Sequence, residues 1–125
     1  NKVLPIINEN DALAVEEIKV GDNDTLSALL VPMVNADLLV LASDIDGLYN
    51  KNPMKFKDAR KIDIIDKIDN SIEDMIGDSI SAIGTGGMKT KIKAARMVTK
   101  LGCDMAIISS SDIININLIK TYNQL

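Results

Sequence analysis

The sequence contains no histidine. That absence removes Ser-His-Asp and Cys-His catalysis, together with every zinc site built on imidazole. The single cysteine, Cys103, excludes an intrachain disulfide and suits a reducing compartment. No apolar run approaches the roughly 20 residues that span a bilayer. No signal-peptide pattern is read either, so a cytoplasmic location without membrane contact is expected. Excess positive charge is also missing. With 14 basic and 18 acidic residues the net charge is −4, the wrong sign for a general nucleic-acid binder. Any chemistry must therefore come from carboxylates, amides, lysines, hydroxyls and backbone N–H groups.

What is present suits one folded unit. The 125 residues are 46% hydrophobic and 26% charged, ordinary for a globular domain with one core. The run Val3 to Ile7 reads as a short buried strand, followed by a polar turn, NENDALA. Val15 to Val20 (VEEIKV) reads as one arm of an exposed hairpin. Leu26, Leu29, Leu30, Met33 and Val34 recur at helical spacing, which predicts a helix from Thr25 to Asn35 that Pro32 should kink or shorten. LLVLAS (38–43) reads as a buried parallel strand, with the polar loop SDIDGLYNKNP at its end.

Beyond a lysine-rich connector, Ser71 to Ile76 suggests a short helix. MKTKIKAARMVTKLG (88–102) predicts an amphipathic helix with Ile92, Ala95, Met97 and Val98 inward, lysines outward and Gly102 at C′. Met105 to Ile108 reads as another buried strand and Ile113 to Tyr122 as a last helix. Strands alternating with helices indicate an α/β layered sheet.

Three polar loops join these elements: NEND (8–11), GDND (21–24) and GTGGMKTK (84–91). Open α/β sheets bind ligands beyond the carboxyl ends of their strands, so such loops are candidate sites. In GDND, Asp24 is also a good N-cap for the helix that follows. The glycine loop is not a Walker A loop, because Met88 and Lys89 stand where glycine should precede Lys-Thr. It is not the dinucleotide fingerprint either, since Lys89 takes the place of the third glycine. A phosphate cradle at a helix N-terminus and a flexible loop beside a solvated lysine face both fit it. SDIDGLYNKNP fails as an EF-hand: with Gly47 in the sixth position, Ala42 and Pro53 stand where carboxylates belong. Glu16, Glu17 and Asp37 read as surface charges, and Cys103 as a small core residue.

Taken together, PIINENDALAVEEIKVGDNDTLSALL, DIDGLYNKNP and GTGGMKTKIKAARM resemble the amino acid kinase family, in its glutamate-phosphorylating branch, from the first residues to about Ser111. The resemblance implies a three-layer αβα sandwich with a mostly parallel central sheet. Residues 1–125 would form the C-terminal, nucleotide-binding part of one such domain. It implies ATP-dependent phosphorylation of the L-glutamate γ-carboxylate, the first step of proline biosynthesis, with Mg2+ carried by ATP and a homo-oligomeric complete protein. Asp11, Asn23 and the neighbouring Asp22 are implied as glutamate-binding residues, with Asp11 taking the ammonium group and Asn23 donating to a carboxylate.

By the same resemblance Asp24 is the catalytic aspartate. The attacking carboxylate is already ionised at neutral pH, so Asp24 has no proton to remove. Orienting catalytic lysines, and Mg2+ through water, suits it better. Ser43 and Asp44 match the pair that meets the nucleotide, with serine in place of the usual threonine. Thr85, Gly86, Gly87, Met88, Lys89, Thr90 and Lys91 match the second nucleotide loop, with Lys91 contacting phosphate and catalytic. The family's glycine-rich phosphate loop, its lysine and its glutamate-contacting serine have no counterpart in these residues. The chain is expected to be a fragment holding about half an active site, inactive alone. Two other readings stay open: a related amino acid kinase, and a non-catalytic nucleotide- or metabolite-binding module.

Overall fold

The computed structural model describes residues 3, 5–9, 22–70, 72 and 87–113. In chain order these form α1 (Asn23–Val34), β1 (Leu38–Ser43), β2 (Leu48–Tyr49), β3 (Lys61–Ile62), α2 (Gly87–Thr99) and β4 (Asp104–Ser109). Strands β1 and β4 pair in parallel, Leu38 opposite Asp104 through to Ser43 opposite Ser109. Each follows a helix, so the core is two helix–strand units side by side, the α/β layering with a parallel sheet that the sequence predicts.

Helix α1 starts where Asp22 takes an extended backbone (φ −169°, ψ 152°) and its carboxylate accepts from the Thr25 N–H at 2.6 Å. The Thr25 hydroxyl donates to the same carboxylate at 2.9 Å. The cap is therefore Asp22, not Asp24 as the sequence suggests. Both acids fit the rule, but the cap residue must lie outside the helical backbone with its side chain aimed at an amide three residues on, and Asp22 alone does so. Pro32 does not end the helix early. It stands in the last turn on the exposed side, and the helix runs to Val34. Asn35 then closes it in the left-handed region (φ 50°, ψ 51°), with its N–H donating to the Val31 carbonyl.

Helix α2 ends as predicted, with Gly102 at C′. The Cys103 N–H reaches the Val98 carbonyl and the Gly102 N–H reaches Thr99, both at 3.1 Å, and Gly102 has φ +78°. This is the Schellman pattern, whose left-handed position favours glycine.

The two helices share one core with β1. Ala28 and Val31 of α1, Leu41 of β1, Ala94 and Val98 of α2, and Cys103 form a single buried cluster, with Leu39 and Met105 against it. Ala28 and Ala94 are completely buried, so the facing surfaces are small and the helix axes can lie close. A second cluster joins Leu48, Ile72 and Ile92, with Ile62, Ile65, Ile68 and Met88 packed on it. It fastens the antiparallel β2–β3 pair, Leu48 opposite Ile62, against α2. The sequence reading had only polar loop and connector there.

One expectation fails outright. Val3, Ile6 and Ile7 are 82%, 93% and 53% exposed, and none of the described residues of that run is in a strand. An apolar run becomes a buried strand only beside a ladder partner, and β1, the strand nearest in kind, pairs with β4 alone among the described residues. The hairpin arm at 15–20 lies outside the described residues. So does the last helix beyond Ile113, and so does the short helix at 71–76 except for Ile72, which is buried.

Candidate active site

On α1, Asp24 lies four and seven residues before Ala28 and Val31. On α2, Lys91 lies three, four and seven residues before Ala94, Ala95 and Val98. Both polar residues thus continue, toward the helix N-termini, the stripes that form the helix–helix contact. Where the apolar stripes end, the two meet. Lys91 Nζ donates to Asp24 Oδ2 at 3.0 Å and to Oδ1 at 3.3 Å.

The pair is well shielded: the side chains are 10% exposed for Lys91 and 19% for Asp24. A cation in the opening turns of a helix opposes the macrodipole, and its burial adds a desolvation cost. No acid stands in the first turn of α2 to offset either. Asp24 supplies the compensation from another element, and its own place in the first turn of α1 favours a negative charge. The expectation that the lysines of the 88–102 stretch point outward holds for Lys89, Lys93 and Lys100, which are exposed, but not for Lys91. Lys91 has three N–H groups and can still donate to a further anion beside the one Asp24 neutralises.

Thr90 joins the same carboxylate. Its Oγ1 lies 2.7 Å from Asp24 Oδ2 and 2.9 Å from the Gly87 carbonyl oxygen. Asp24 is therefore gripped by two consecutive residues of α2. Sequence reasoning placed Thr90 with the nucleotide loop and not against Asp24.

The neighbouring Asn23 turns the other way. Its Oδ1 accepts from the Glu9 N–H at 3.0 Å, and its Nδ2 donates to Asn8 Oδ1 at 3.2 Å. The structure thus brings NEND and GDND together through Asn8 and Glu9. Asp11 lies outside the described residues. Asn8 was not singled out by sequence reasoning, although it opens the motif that was. Because a backbone N–H occupies Oδ1, the Asn23 amide is fixed the right way round to donate from Nδ2. Asp22 has both oxygens on Thr25, so its clearest role is to set the helix start that aims Asn23 and Asp24.

Strand β1 returns along the helix layer after a short turn, so its C-terminal end lies toward the N-terminus of α1. Ser43 sits there, buried, with its hydroxyl donating to Asp44 Oδ1 at 3.0 Å and accepting from the Ile45 N–H at 3.3 Å. Asp44 is exposed. Of the glycine loop, Thr85 and Gly86 lie outside the described residues. Gly87 opens α2, and nothing lies within 4 Å of where its Cβ would be. Met88 packs on the second core cluster, which leaves its backbone rather than its side chain toward the loop. Lys89 is exposed. Cys103 is only 2% exposed, and burial pushes its thiol up, as befits a core residue rather than a nucleophile. Among the described residues no group of histidine, cysteine or carboxylate side chains could hold a metal ion, and no helix is long and apolar enough to cross a membrane.

The structure is a parallel α/β layer that carries a shielded lysine–carboxylate pair near the N-termini of two packed helices. Residues 1–109 match the amino acid kinase family, and the chain belongs to that family. Among its relatives, the glutamate 5-kinase of Idiomarina loihiensis is 51% identical over 107 residues, covering 86% of this chain and 29% of the relative. That of Streptococcus sanguinis is 56% identical with the same coverage. That of Neisseria meningitidis serogroup A is 56% identical over 109 residues, 87% of this chain and 30% of the relative. The chain thus spans less than a third of the length of these relatives.

Proposed function

We propose that the chain belongs to a glutamate 5-kinase, which uses ATP to phosphorylate the γ-carboxylate of L-glutamate in the cytoplasm, as the opening step of proline biosynthesis. The observation that carries the reading is the buried Asp24–Lys91 pair, which ties the GDND motif to the start of the helix after the glycine loop. Relatives named glutamate 5-kinase at 51–56% identity support the choice of substrate.

Phosphoryl transfer to a carboxylate joins two anions, and the protein's work is positioning and charge neutralisation. Lys91 would meet the transferring phosphoryl group with its remaining N–H donors, held in place by Asp24. Asn23 would donate to the amino-acid substrate, and Asp11 would take its ammonium group. Asp22 would act beside them through the helix start. Ser43, Asp44 and the backbone of residues 85–91 would line the nucleotide, with the N–H groups at the start of α2 facing phosphate oxygens. The Asp24 carboxylate, already held by Thr90 and Lys91, would help position, through water, the Mg2+ that ATP brings. The complete protein is expected to be a homo-oligomer.

The test is glutamate-dependent ADP release by the full-length protein, measured against a panel of amino acids that includes aspartate and N-acetylglutamate. Release that requires glutamate supports the reading. Release with another acceptor places the protein elsewhere in the family, and nucleotide binding without release with any acceptor favours a non-catalytic module.

A further inference from the structure

We infer that the Thr90 side chain is a positioning group for Asp24, holding the carboxylate that in turn holds the Lys91 ammonium group, rather than a side-chain contact to the nucleotide. The inference rests on the kinase reading above.

The Thr90 hydroxyl carries one proton and has two acceptors in reach, Asp24 Oδ2 at 2.7 Å and the Gly87 carbonyl at 2.9 Å. It can donate to only one of them. Gly87 stands four residues before Lys91 in α2, so its carbonyl is the regular helical acceptor of the Lys91 N–H. Asp24 is charged, and hydrogen bonds to a charged acceptor are shorter and about twice as strong as neutral ones. The proton therefore goes to Asp24.

Consecutive helical residues point in different directions, about 100° apart. Thr90 and Lys91 consequently reach Asp24 from two sides, and Oδ2 accepts from both. A lysine–aspartate pair alone joins a long flexible side chain to a carboxylate that can rotate about its last bond. The branched threonine side chain is stiff and begins one bond from the helix backbone. It fixes the plane of the carboxylate, and with it the position of Nζ. A displacement of about 1 Å at such a group can cost on the order of a hundredfold in rate.

The experiment compares Thr90→Val and Thr90→Ser in the full-length protein. Valine keeps the shape and removes the donor; serine keeps the donor. Thr90→Val is expected to lower kcat roughly ten- to a hundredfold, the loss of one hydrogen bond to a charged group, with KM for ATP and for glutamate within about twofold. Thr90→Ser is expected to recover most of kcat. In an Asp24→Asn background, Thr90→Val should add little further loss, because the two act as a unit. A rise in KM for ATP with kcat preserved would make Thr90 a nucleotide contact and overturn the inference. Equal losses in both backgrounds would do the same. Thr90→Ala serves for the comparison where the valine variant does not fold.

Failure of this inference is distinguishable from failure of the kinase reading. If Asp24→Asn and Lys91→Ala lower turnover by orders of magnitude while Thr90→Val leaves kcat unchanged, only the positioning role falls. If those two variants leave turnover intact, the kinase reading falls and takes the inference with it.

Discussion

Asp24 and Lys91 are 67 positions apart in the chain and meet as an ion pair at 3.0 Å, each mostly buried. Removing one member of such a pair strands the other charge away from water, which typically costs about 3–5 kcal/mol. Asp24→Asn should therefore lower both stability and turnover, while the paired change Asp24→Asn with Lys91→Met should regain much of the stability and none of the activity. Equilibrium denaturation of the three proteins, read beside their kcat values, checks this. Equal stability of single and double variants would show that the pair contributes no coupling.

Asn23 should act on one substrate only. Truncation to alanine removes a donor proposed to face glutamate, and KM for glutamate should rise roughly ten- to a hundredfold while KM for ATP moves little. Folding should survive, because the helix is capped by Asp22 and not by Asn23 or Asp24. Steady-state kinetics with each substrate varied in turn decides the matter. A comparable rise in both constants would assign Asn23 to the frame of the site rather than to glutamate.

The cap itself is a separate prediction. Asp22→Ala removes the acceptor for the Thr25 N–H and for its hydroxyl, and should cost about 1–2 kcal/mol of stability. Asp22→Ser should cost much less. Urea denaturation of both variants measures the difference; a neutral alanine variant would show that another group takes over the cap.

How much of this was legible in the chain depends on how local the cause is. Strand β1 was read with its observed limits, because LLVLAS is a continuous apolar run bounded by turn residues. The Schellman end at Gly102 was legible for the same reason: one glycine after an amphipathic run. The β2–β3 pair was not, since strands of two residues are too short to show an alternation. Asp22 and Asp24 are equivalent by capping rules, and only the backbone angles at Asp22 separate them. Lys91 falls on the buried stripe of its helix by spacing, but a lysine there reads as solvated until a partner for its charge is known. Its partner is on another helix, so composition and spacing could not find it; the family resemblance marked both Asp24 and Lys91 as catalytic without joining them. Thr90 was read only as part of the nucleotide loop and Asn8 was not singled out, because their contacts with Asp24 and Asn23 exist only in the folded chain.

Away from the site, Asp46 anchors the loop before β2. It accepts from the Lys61 ammonium at 3.2 Å and from the Tyr49 hydroxyl at 3.1 Å. These bonds, Lys61 first, hold its carboxyl below the usual aspartate range, and the same contact with Asp46 pushes the Tyr49 phenol up. A carboxyl depressed on folding stabilises the fold above its unfolded value, and the contribution disappears as pH falls through the lower folded value. Wild type should therefore exceed Asp46→Asn in stability at neutral pH, with the gap closing below about pH 4. Thermal denaturation across that range reads it; a gap independent of pH would remove the charge from the explanation.

Cys103 should react only when the core opens. It is 2% exposed, and burial raises its thiol. Modification by a thiol reagent should be slow in the native protein and rise together with global unfolding across a urea titration. Rapid labelling under native conditions would contradict the packing of the α1–β1–α2 cluster.

The most direct test of the account is the turnover of Lys91→Ala against Lys93→Ala in the full-length protein. The two lysines are neighbours on α2, one buried against Asp24 and one exposed. A charge placed where negative charge shifts in the transition state contributes ~3 kcal/mol, so Lys91→Ala should lower kcat on glutamate by two orders of magnitude or more. Lys93→Ala should leave it within about twofold, as surface changes usually do. Near-normal turnover by a folded Lys91→Ala variant would contradict the claim that the Asp24–Lys91 pair is the catalytic junction.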